Sequence, residues 1–495
     1  MLYPVSGGIM NENTLPEKKT KIVCTIGPAS RSEDVLKELI TAGMNIARIN
    51  FAHSDAETHR TSIRLIRAAA AEVGRRVAIM GDLPGPKMRI GAIEPDPIML
   101  ERDQPFVLAA GDFVGNAERA SMKFEGLAKA VKPGDRIFIN DGLIKLAVEE
   151  VVGDEVHTKV LIGGELRSHK GVNFPGINLG ISAFTDTDRE WLTFAASERI
   201  DAISQSFVET GKDLNEVREA AQALGYEPFI IAKIERAGAL DHMDDILEAT
   251  DGIMVARGDL GVEIPIEQIA IVQKELIIQA NLHGKPVITA THMLESMTYN
   301  TRPTRAEATD VANAILDGTD CVMLSGETAV GEFPAASVEV MAAIARETEP
   351  YCSGNRVASR LQDHHKSDKP DYNNLVSRSI YATTLNYETV AVVAPTLSGR
   401  TARMISRFRL PVWIIAISPR ESTCQELQFS YGVYPVYQQY RPTNWEKFAR
   451  DWLAAHNMQG ELALLTQGSG TGATGYSNRI GFIDLTQPMS DIIAW

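Results

Sequence analysis

Cysteine is scarce in this chain of 495 residues: Cys24, Cys321, Cys352 and Cys424 stand far apart, with neither paired nor metal-ligand spacing. That pattern excludes a zinc site built on thiolates and fits a reducing cytoplasm. No stretch approaches the ~20 consecutive apolar residues of a membrane-spanning helix, and the first twenty residues lack an apolar core of signal-peptide length. A cytoplasmic protein with no membrane partner is expected. Cations are also in deficit, 49 Lys and Arg against 64 Asp and Glu, which leaves a net charge of -15. Nucleic acid or an anionic membrane surface would reward the opposite sign. Any anionic substrate must be drawn in by a local cationic cluster or a bound metal. No G-x-x-x-x-G-K-[ST] run occurs, so a P-loop is excluded. Gly470-Thr-Gly472-Ala-Thr-Gly475 matches G-x-G-x-x-G, yet the chain turns apolar and strand-like by Ile480, which leaves no room for a pyrophosphate-binding helix.

What is present is alternation. Eight apolar runs of strand length, at Lys21–Gly27, Asn45–Phe51, Val77–Leu83, Ala202–Phe207, Phe229–Glu235, Gly252–Gly258, Pro286–Met293 and Cys321–Glu327, are separated mostly by stretches with helical spacing. Ala308, Val311, Ala312, Ile315 and Leu316 are one such helical stripe. Strand alternating with helix predicts a parallel sheet, and eight repeats predict a (β/α)8 TIM barrel. Polar residues collect at the C-terminal ends of the runs: Thr25, Arg48 with Asn50, Asp82, Ser206, Lys233 with Glu235, Arg257 with Asp259, Thr291, and Ser325 with Glu327. A buried strand interior has no use for them, and barrel active sites sit at that end. Ion pairs that merely close the barrel are the alternative.

The alternation breaks between 84 and 181, where short β segments and turns predict an inserted β domain above the barrel mouth. At this length roughly two to four domains are expected. The expected division is an N-terminal arm over 1–17, a barrel over 18–83 and 182–350, the insert over 84–181, and a C-terminal α/β parallel-sheet unit over 351–495. Ser353–Tyr372, polar and charged, reads as a linker or an irregular domain junction. In the C-terminal unit, Thr396-Leu-Ser398-Gly399-Arg400-Thr401 follows a strand and opens a helix. Its hydroxyls and one Arg are the composition of an anion site, and equally of a plain N-cap.

Glu235 and Asp259, from neighbouring strand ends, could share a divalent cation of the Mg²⁺ kind, which takes few carboxylates and leaves positions for substrate oxygens. Neutralisation by Arg257 and Lys233 is the alternative. Beside a metal, Arg48 and Lys233, with Arg89 as a further candidate, would hold a transferring phosphoryl group.

Several long motifs carry a family resemblance: Thr25-Ile-Gly-Pro-Ala-Ser30, Ala47-Arg-Ile-Asn-Phe51, Gly81-Asp-Leu-Pro-Gly-Pro86, Lys233-Ile-Glu235, Met254-Val-Ala-Arg-Gly-Asp-Leu-Gly-Val-Glu263, Thr289-Ala-Thr-His-Met-Leu-Glu-Ser-Met297 and Pro303-Thr-Arg-Ala-Glu307. Over nearly its whole length the chain resembles pyruvate kinase. The resemblance implies that the insert is a β-barrel lid, that the C-terminal unit carries an effector site, and that the assembly is a homotetramer. It implies phosphoenolpyruvate and ADP as substrates, pyruvate and ATP as products, and Mg²⁺, or Mn²⁺ in its place, held by Glu235 and Asp259. Lys233 would serve the phosphoryl group and the enolate oxygen, and Arg48 would clamp the phosphoryl group. Thr291 would stand near the methylene carbon that is protonated. Ser206 and the backbone of Ala256, Arg257, Gly258 and Asp259 would complete the substrate pocket, with Asn50, His53 and Arg89 on the nucleotide side. A phosphorylated metabolite would bind Thr396, Ser398, Gly399, Arg400 and Thr401. Because the loop Gly468–Asn478 has no Lys or Arg, a single phosphate is expected there.

The chain departs from the family pattern at three places. Leu83, Pro84 and Lys87 replace the usual Thr, Lys and Glu after the third strand. Ala52 stands where many members have Ser, and Thr193 where some have Lys. The family's monovalent-cation position maps to Asn50, Ala52, Asp82 and the Leu83 carbonyl. With one oxygen lost and a tethered ammonium gained at Lys87, potassium is expected not to be required. A lyase or aldolase acting on an enolpyruvate would also use a barrel, a metal and a lysine, but has no use for a lid that brings in a nucleotide. An inactive effector-sensing scaffold is at odds with the intact Arg48, Lys233, Glu235, Asp259 and Thr291.

Overall fold

The computed structural model describes residues 14–363, 371–468 and 477–487. Most of the expected N-terminal arm, the end of the expected linker from His364 to Pro370, and the glycine-rich Gly470–Gly475 loop with most of the Gly468–Asn478 stretch lie outside the described residues.

Eight parallel strands close a barrel in sequence order: Lys21–Thr25, Ile46–Asn50, Ala78–Leu83, Ala202–Gln205, Phe229–Ile234, Gly252–Ala256, Val287–Ala290 and Cys321–Leu324. The third ladder ends with its predicted run at Leu83, and the other seven end one to three residues before theirs, where the chain turns out into loops. Inside the barrel Val23, Ile46, Met80, Phe229, Ile231, Met254, Ile288 and Met323 fill the lumen. Their strand neighbours face outward against the helices, in a second layer with Leu36, Ile63, Leu214, Leu276 and Ile315. A strand buried on both faces reads as an unbroken apolar run, which is why periodicity located these strands. The helices start where the sequence provides caps: Asp55 accepts from Thr58 N at 2.8 Å ahead of Ala56–Val73, and Thr304 with Glu307 forms a capping box at Arg305–Asp317.

Pro84 cannot donate to the ladder and ends the third strand. The inserted domain follows, a six-stranded sheet with a two-stranded partner. Both edges of the larger sheet are bridged by one segment, through Arg89 to Gly171 and Ile90 to Met122. Its core, around Phe106, Leu108, Ile137, Leu146 and Val156, is separate from that of the barrel.

The C-terminal unit is a five-stranded sheet. Four strands are parallel, as expected, and the last, Ser477–Asp484, runs antiparallel to Leu462–Gly468. Part of the expected linker is ordered: Asn355–Asp363 is a helix whose Val357 and Leu361, one turn apart, enter the C-terminal core. The unit also supplies the floor of the barrel. Phe429 sits among the lumen residues and stacks on Phe229 with ring centroids 5.4 Å apart. Among the described residues no helix is long and apolar enough to cross a membrane.

Candidate active site

The C-terminal ends of strands two to five bring together a line of alternating charges. Arg48 and Asn50, Ser204 and Ser206, and Lys233 and Glu235 are each two residues apart, so each pair shares one strand face. Arg48 donates through Nε to Asp82 Oδ2 at 3.0 Å and pairs with the same oxygen through Nη2. Its Nη1 donates to Thr25 Oγ1 at 3.0 Å, whose hydroxyl reaches the Leu324 carbonyl. Ser204 Oγ donates to Asp82 Oδ1 at 2.7 Å, and Lys233 Nζ lies 3.5 Å from the same oxygen. Burial opposes ionisation of Asp82, but Lys233 and Arg48 outweigh it and hold the carboxyl below its usual range.

Lys233 continues the line. Its Nζ donates to Ser206 Oγ at 2.6 Å and lies 3.3 Å from Glu235 Oε2, while Ser206 Oγ donates to the Leu83 carbonyl at 2.6 Å. Desolvation favours the neutral amine, yet Asp82 and Glu235 prevail and raise its pKa, so Lys233 is a fixed cation. Glu235 Oε1 accepts from Phe207 N at 2.8 Å. Its Oε2 is buried and has no hydrogen-bond partner among the described residues. Burial, with Asp259 nearby and only partly offset by Lys233, pushes the Glu235 carboxyl up.

That oxygen, ion-paired with Lys233 but accepting no hydrogen bond, bears on whether a divalent metal suits the site. A buried carboxylate with one lone pair unused, facing a second carboxylate at Asp259, is a donor set for a hard cation that completes its shell with substrate oxygens. The residues present fit such an ion.

Around this line the backbone is strained in three places. Phe207, Thr291 and His292 have φ of +58°, +67° and +53°. A β-branched Thr in the left-handed region is an outlier, and such residues cluster at functional sites. The turn lets Thr291 Oγ1 accept from Gly258 N at 2.8 Å while donating to the Ala290 carbonyl at 2.8 Å. Arg257 does not face the mouth: its guanidinium binds the Ala290 and Thr291 carbonyls and Asp310, so only its backbone can serve a ligand beside Ala256, Gly258 and Asp259.

The other expected residues are dispersed. Asn50 pairs in register with Asp82, and its Oδ1 accepts from Ala52 N at 3.2 Å. Ala52 and His53 are exposed. Arg89 donates to the His169 carbonyl within the inserted domain. Lys87 Nζ, rather than contacting Asn50 or Asp82, lies 4.0 Å from Asp259 Oδ1, beside the second of the two candidate metal carboxylates. Thr396–Thr401 belong to the C-terminal sheet unit, far from this line in the fold. There Gly399 precedes the helix Arg400–Ser406, and Thr401 Oγ1 bonds Ser477 Oγ at 3.1 Å. Ser325 and Glu327 are structural: Glu327 is buried and accepts from Leu294 N and Ser325 N. Sequence reasoning missed Ser204, which stands two residues before Ser206 and so on the same face, and the strained Phe207 that presents its N–H to Glu235.

Comparison with known families matches the description "Pyruvate kinase, barrel domain" over residues 17–338 and "Pyruvate kinase, alpha/beta domain" over 374–481. The chain is 47% identical over 424 residues to a pyruvate kinase of Thermococcus litoralis, covering 85% of this chain and 89% of the relative. It is 43% identical over 472 residues to that of Geobacillus stearothermophilus and 42% identical over 468 residues to that of Staphylococcus aureus (strain MRSA252), covering 93% of this chain and 79% of each relative. A phosphotransferase barrel with a fixed ammonium between two carboxylates, matched across both its barrel and its C-terminal sheet, leaves one assignment: the chain belongs to the pyruvate kinase family.

Proposed function

We propose that the chain transfers the phosphoryl group of phosphoenolpyruvate to ADP through Lys233, Arg48 and Thr291, with Glu235 and Asp259 as ligands of Mg²⁺ or Mn²⁺. The observation that carries this reading is the Lys233 ammonium, fixed between Asp82 and Glu235, whose Oε2 has that ion pair but no hydrogen bond. In the reaction a β-phosphate oxygen of ADP bonds to phosphorus as the bond from phosphorus to the enol oxygen breaks, and the electron pair stays on that oxygen as an enolate. Lys233 opposes the charge at that atom, preorganised by neighbours that need not move. Arg48, oriented by Asp82 and Thr25, holds the phosphoryl oxygens. Ser206 and the Ala256–Asp259 backbone seat the carboxylate end, and Asn50, His53 and Arg89 face the nucleotide. The Thr291 hydroxyl, released from the Ala290 carbonyl, orients the proton donor toward the methylene carbon, and proton uptake there gives pyruvate. The divalent ion, when bound, supplies charge neutralisation among the carboxylate and phosphoryl oxygens. Residues 84–181 act as the lid that excludes water, on a barrel of 18–83 and 182–350, with 351–495 as the effector unit of a cytoplasmic homotetramer. Coupled release of pyruvate from phosphoenolpyruvate and ADP, abolished by a chelator, is the test; turnover that ignores ADP would favour the lyase reading instead.

Catalysis is expected not to need potassium. Ala52 offers no side-chain oxygen, the Leu83 carbonyl is engaged by Ser206, and Lys87 brings a tethered cation to the mouth. Initial rates in tetramethylammonium buffer should stay flat when potassium is added at constant ionic strength, and Lys87→Glu with Ala52→Ser should create a dependence. A rise of about tenfold in the unmodified enzyme contradicts this.

A sugar or nucleotide monophosphate is expected to lower the apparent affinity constant for phosphoenolpyruvate by binding Thr396, Ser398, Gly399, Arg400 and Thr401. Activation that survives Ser398→Ala with Arg400→Ala would place the effector elsewhere.

A further inference from the structure

Asp188 is fully buried, carries no role in the chemistry above, and receives three donors from two different segments. Its Oδ2 accepts from Thr185 N at 2.8 Å and Thr185 Oγ1 at 2.7 Å, and Asp188 N donates back to Thr185 Oγ1, the capping box of helix Asp186–Ser197. A cap requires no more than this. The second oxygen, Oδ1, accepts from Gly85 N at 3.0 Å. Thr185 ends the return from the inserted domain and Gly85 begins the exit into it, so one carboxylate holds both stalks.

Gly85 is also fixed from its other side. It has φ of +62°, and a Cβ there would lie 2.8 Å from Phe207 Cδ2 and 3.2 Å from Ser206 Cβ, so only glycine fits. Those two residues hold the reacting groups: Ser206 Oγ receives Lys233 and reaches back to the Leu83 carbonyl, and Phe207 N holds Glu235. The stalk from Leu83 to Gly85 is therefore clamped between Asp188 and the residues that position the ammonium and the metal carboxylate.

We propose that Asp188 is a positioning residue that pins the hinge of the inserted domain at Gly85 and thereby sets, through Ser206 and Phe207, where Lys233 and Glu235 stand when that domain closes. The inference rests on reading 84–181 as a lid. Burial raises the Asp188 pKa while the Thr185 and Gly85 donors oppose the rise. In Asp188→Asn an amide NH₂ must face one of those N–H donors, which breaks an arm at almost unchanged volume.

The test compares three variants. Thr185→Ala removes the hydroxyl cap and leaves the Gly85 bond intact; it should unfold earlier yet keep kcat within about twofold, as a capping loss does. Asp188→Asn should lower kcat roughly tenfold to a hundredfold with little change in KM for phosphoenolpyruvate, the cost of displaced reacting groups. Asp188→Glu retains the kind of side chain that capping boxes favour but pushes Gly85 away, so it should fold well and still lose kcat. Hydrogen exchange across 84–181, with and without phosphoenolpyruvate and Mg²⁺, is measured in parallel. A wild-type enzyme showing no substrate-dependent protection there would overturn the lid reading, and this inference with it. Protection in the wild type combined with wild-type kcat in Asp188→Asn, or in Asp188→Glu should the first not fold, would overturn the role of Asp188 alone.

Discussion

Lys233→Met is expected to lower kcat by at least about 10²–10³-fold, the loss measured for a single preorganised donor at a developing oxyanion, while the protein stays folded. Met has similar length and no charge, so the barrel lumen below it is undisturbed. The loss exceeds that of one hydrogen bond because Lys233 occupies a junction: its Nζ is placed by Ser206, Asp82 and Glu235 at once. Without the ammonium, Glu235 loses the cation that opposes its burial, and its pKa climbs further. Weaker metal binding should follow, visible as a raised Mg²⁺ requirement in addition to the fall in kcat at saturating Mg²⁺. Steady-state kinetics over a Mg²⁺ series, with circular dichroism to verify the fold, check both parts. A variant that keeps a tenth of wild-type kcat would remove Lys233 from the reaction.

The second large effect is on stability, at the opposite end of the barrel. Asp320→Ala is expected to destabilise the protein by about 3–5 kcal/mol, the cost of stranding one member of a buried ion pair. Arg409, from the C-terminal unit, and Asp320 are 3% and 4% exposed. Arg409 Nη1 and Nη2 donate to the two Asp320 oxygens at 3.0 and 2.8 Å. The same carboxylate accepts from Tyr431 N and Val287 N at 2.9 and 3.0 Å. Removing it leaves the buried guanidinium, still hydrogen-bonded to the Gly318 and Ser406 carbonyls and Asn281, without its counter-charge, and takes the acceptor from two backbone N–H groups. Against a typical total of about 5–15 kcal/mol this is a large fraction. Urea unfolding should show it as a lower midpoint, with the barrel and the C-terminal unit separating into distinct transitions. A shift of less than about 1 kcal/mol would mean that the floor is held by Phe429 packing alone.

Much of this was legible in the chain before any coordinates. The eight strands announced themselves because a parallel strand buried on both faces is mostly apolar, and the site did because charged and hydrogen-bonding residues gather at the C-terminal ends of those runs. Arg48 with Asn50 and Lys233 with Glu235 shared a face by the two-residue period alone. The long motifs carried the family, and the matches over 17–338 and 374–481 agree with them. Only the tertiary structure decided which groups meet. Asp82 accepts from Arg48 and Ser204 and ion-pairs with Lys233, each on a different strand from its own, and inter-strand register, which no local period encodes, sets that convergence. Lys87 turned toward Asp259 because the path of the loop after Pro84 depends on the inserted domain it leads into. The barrel floor came from Phe429, which packs among the lumen residues, and from Arg409, which lies 89 and 128 residues beyond the Asp320 and Asn281 it binds. The sequence determined what each strand end carries, since burial acts on each residue where it stands; the fold determined what those ends do together, since charge and hydrogen bonding act between residues only once the chain has brought them within a few ångströms.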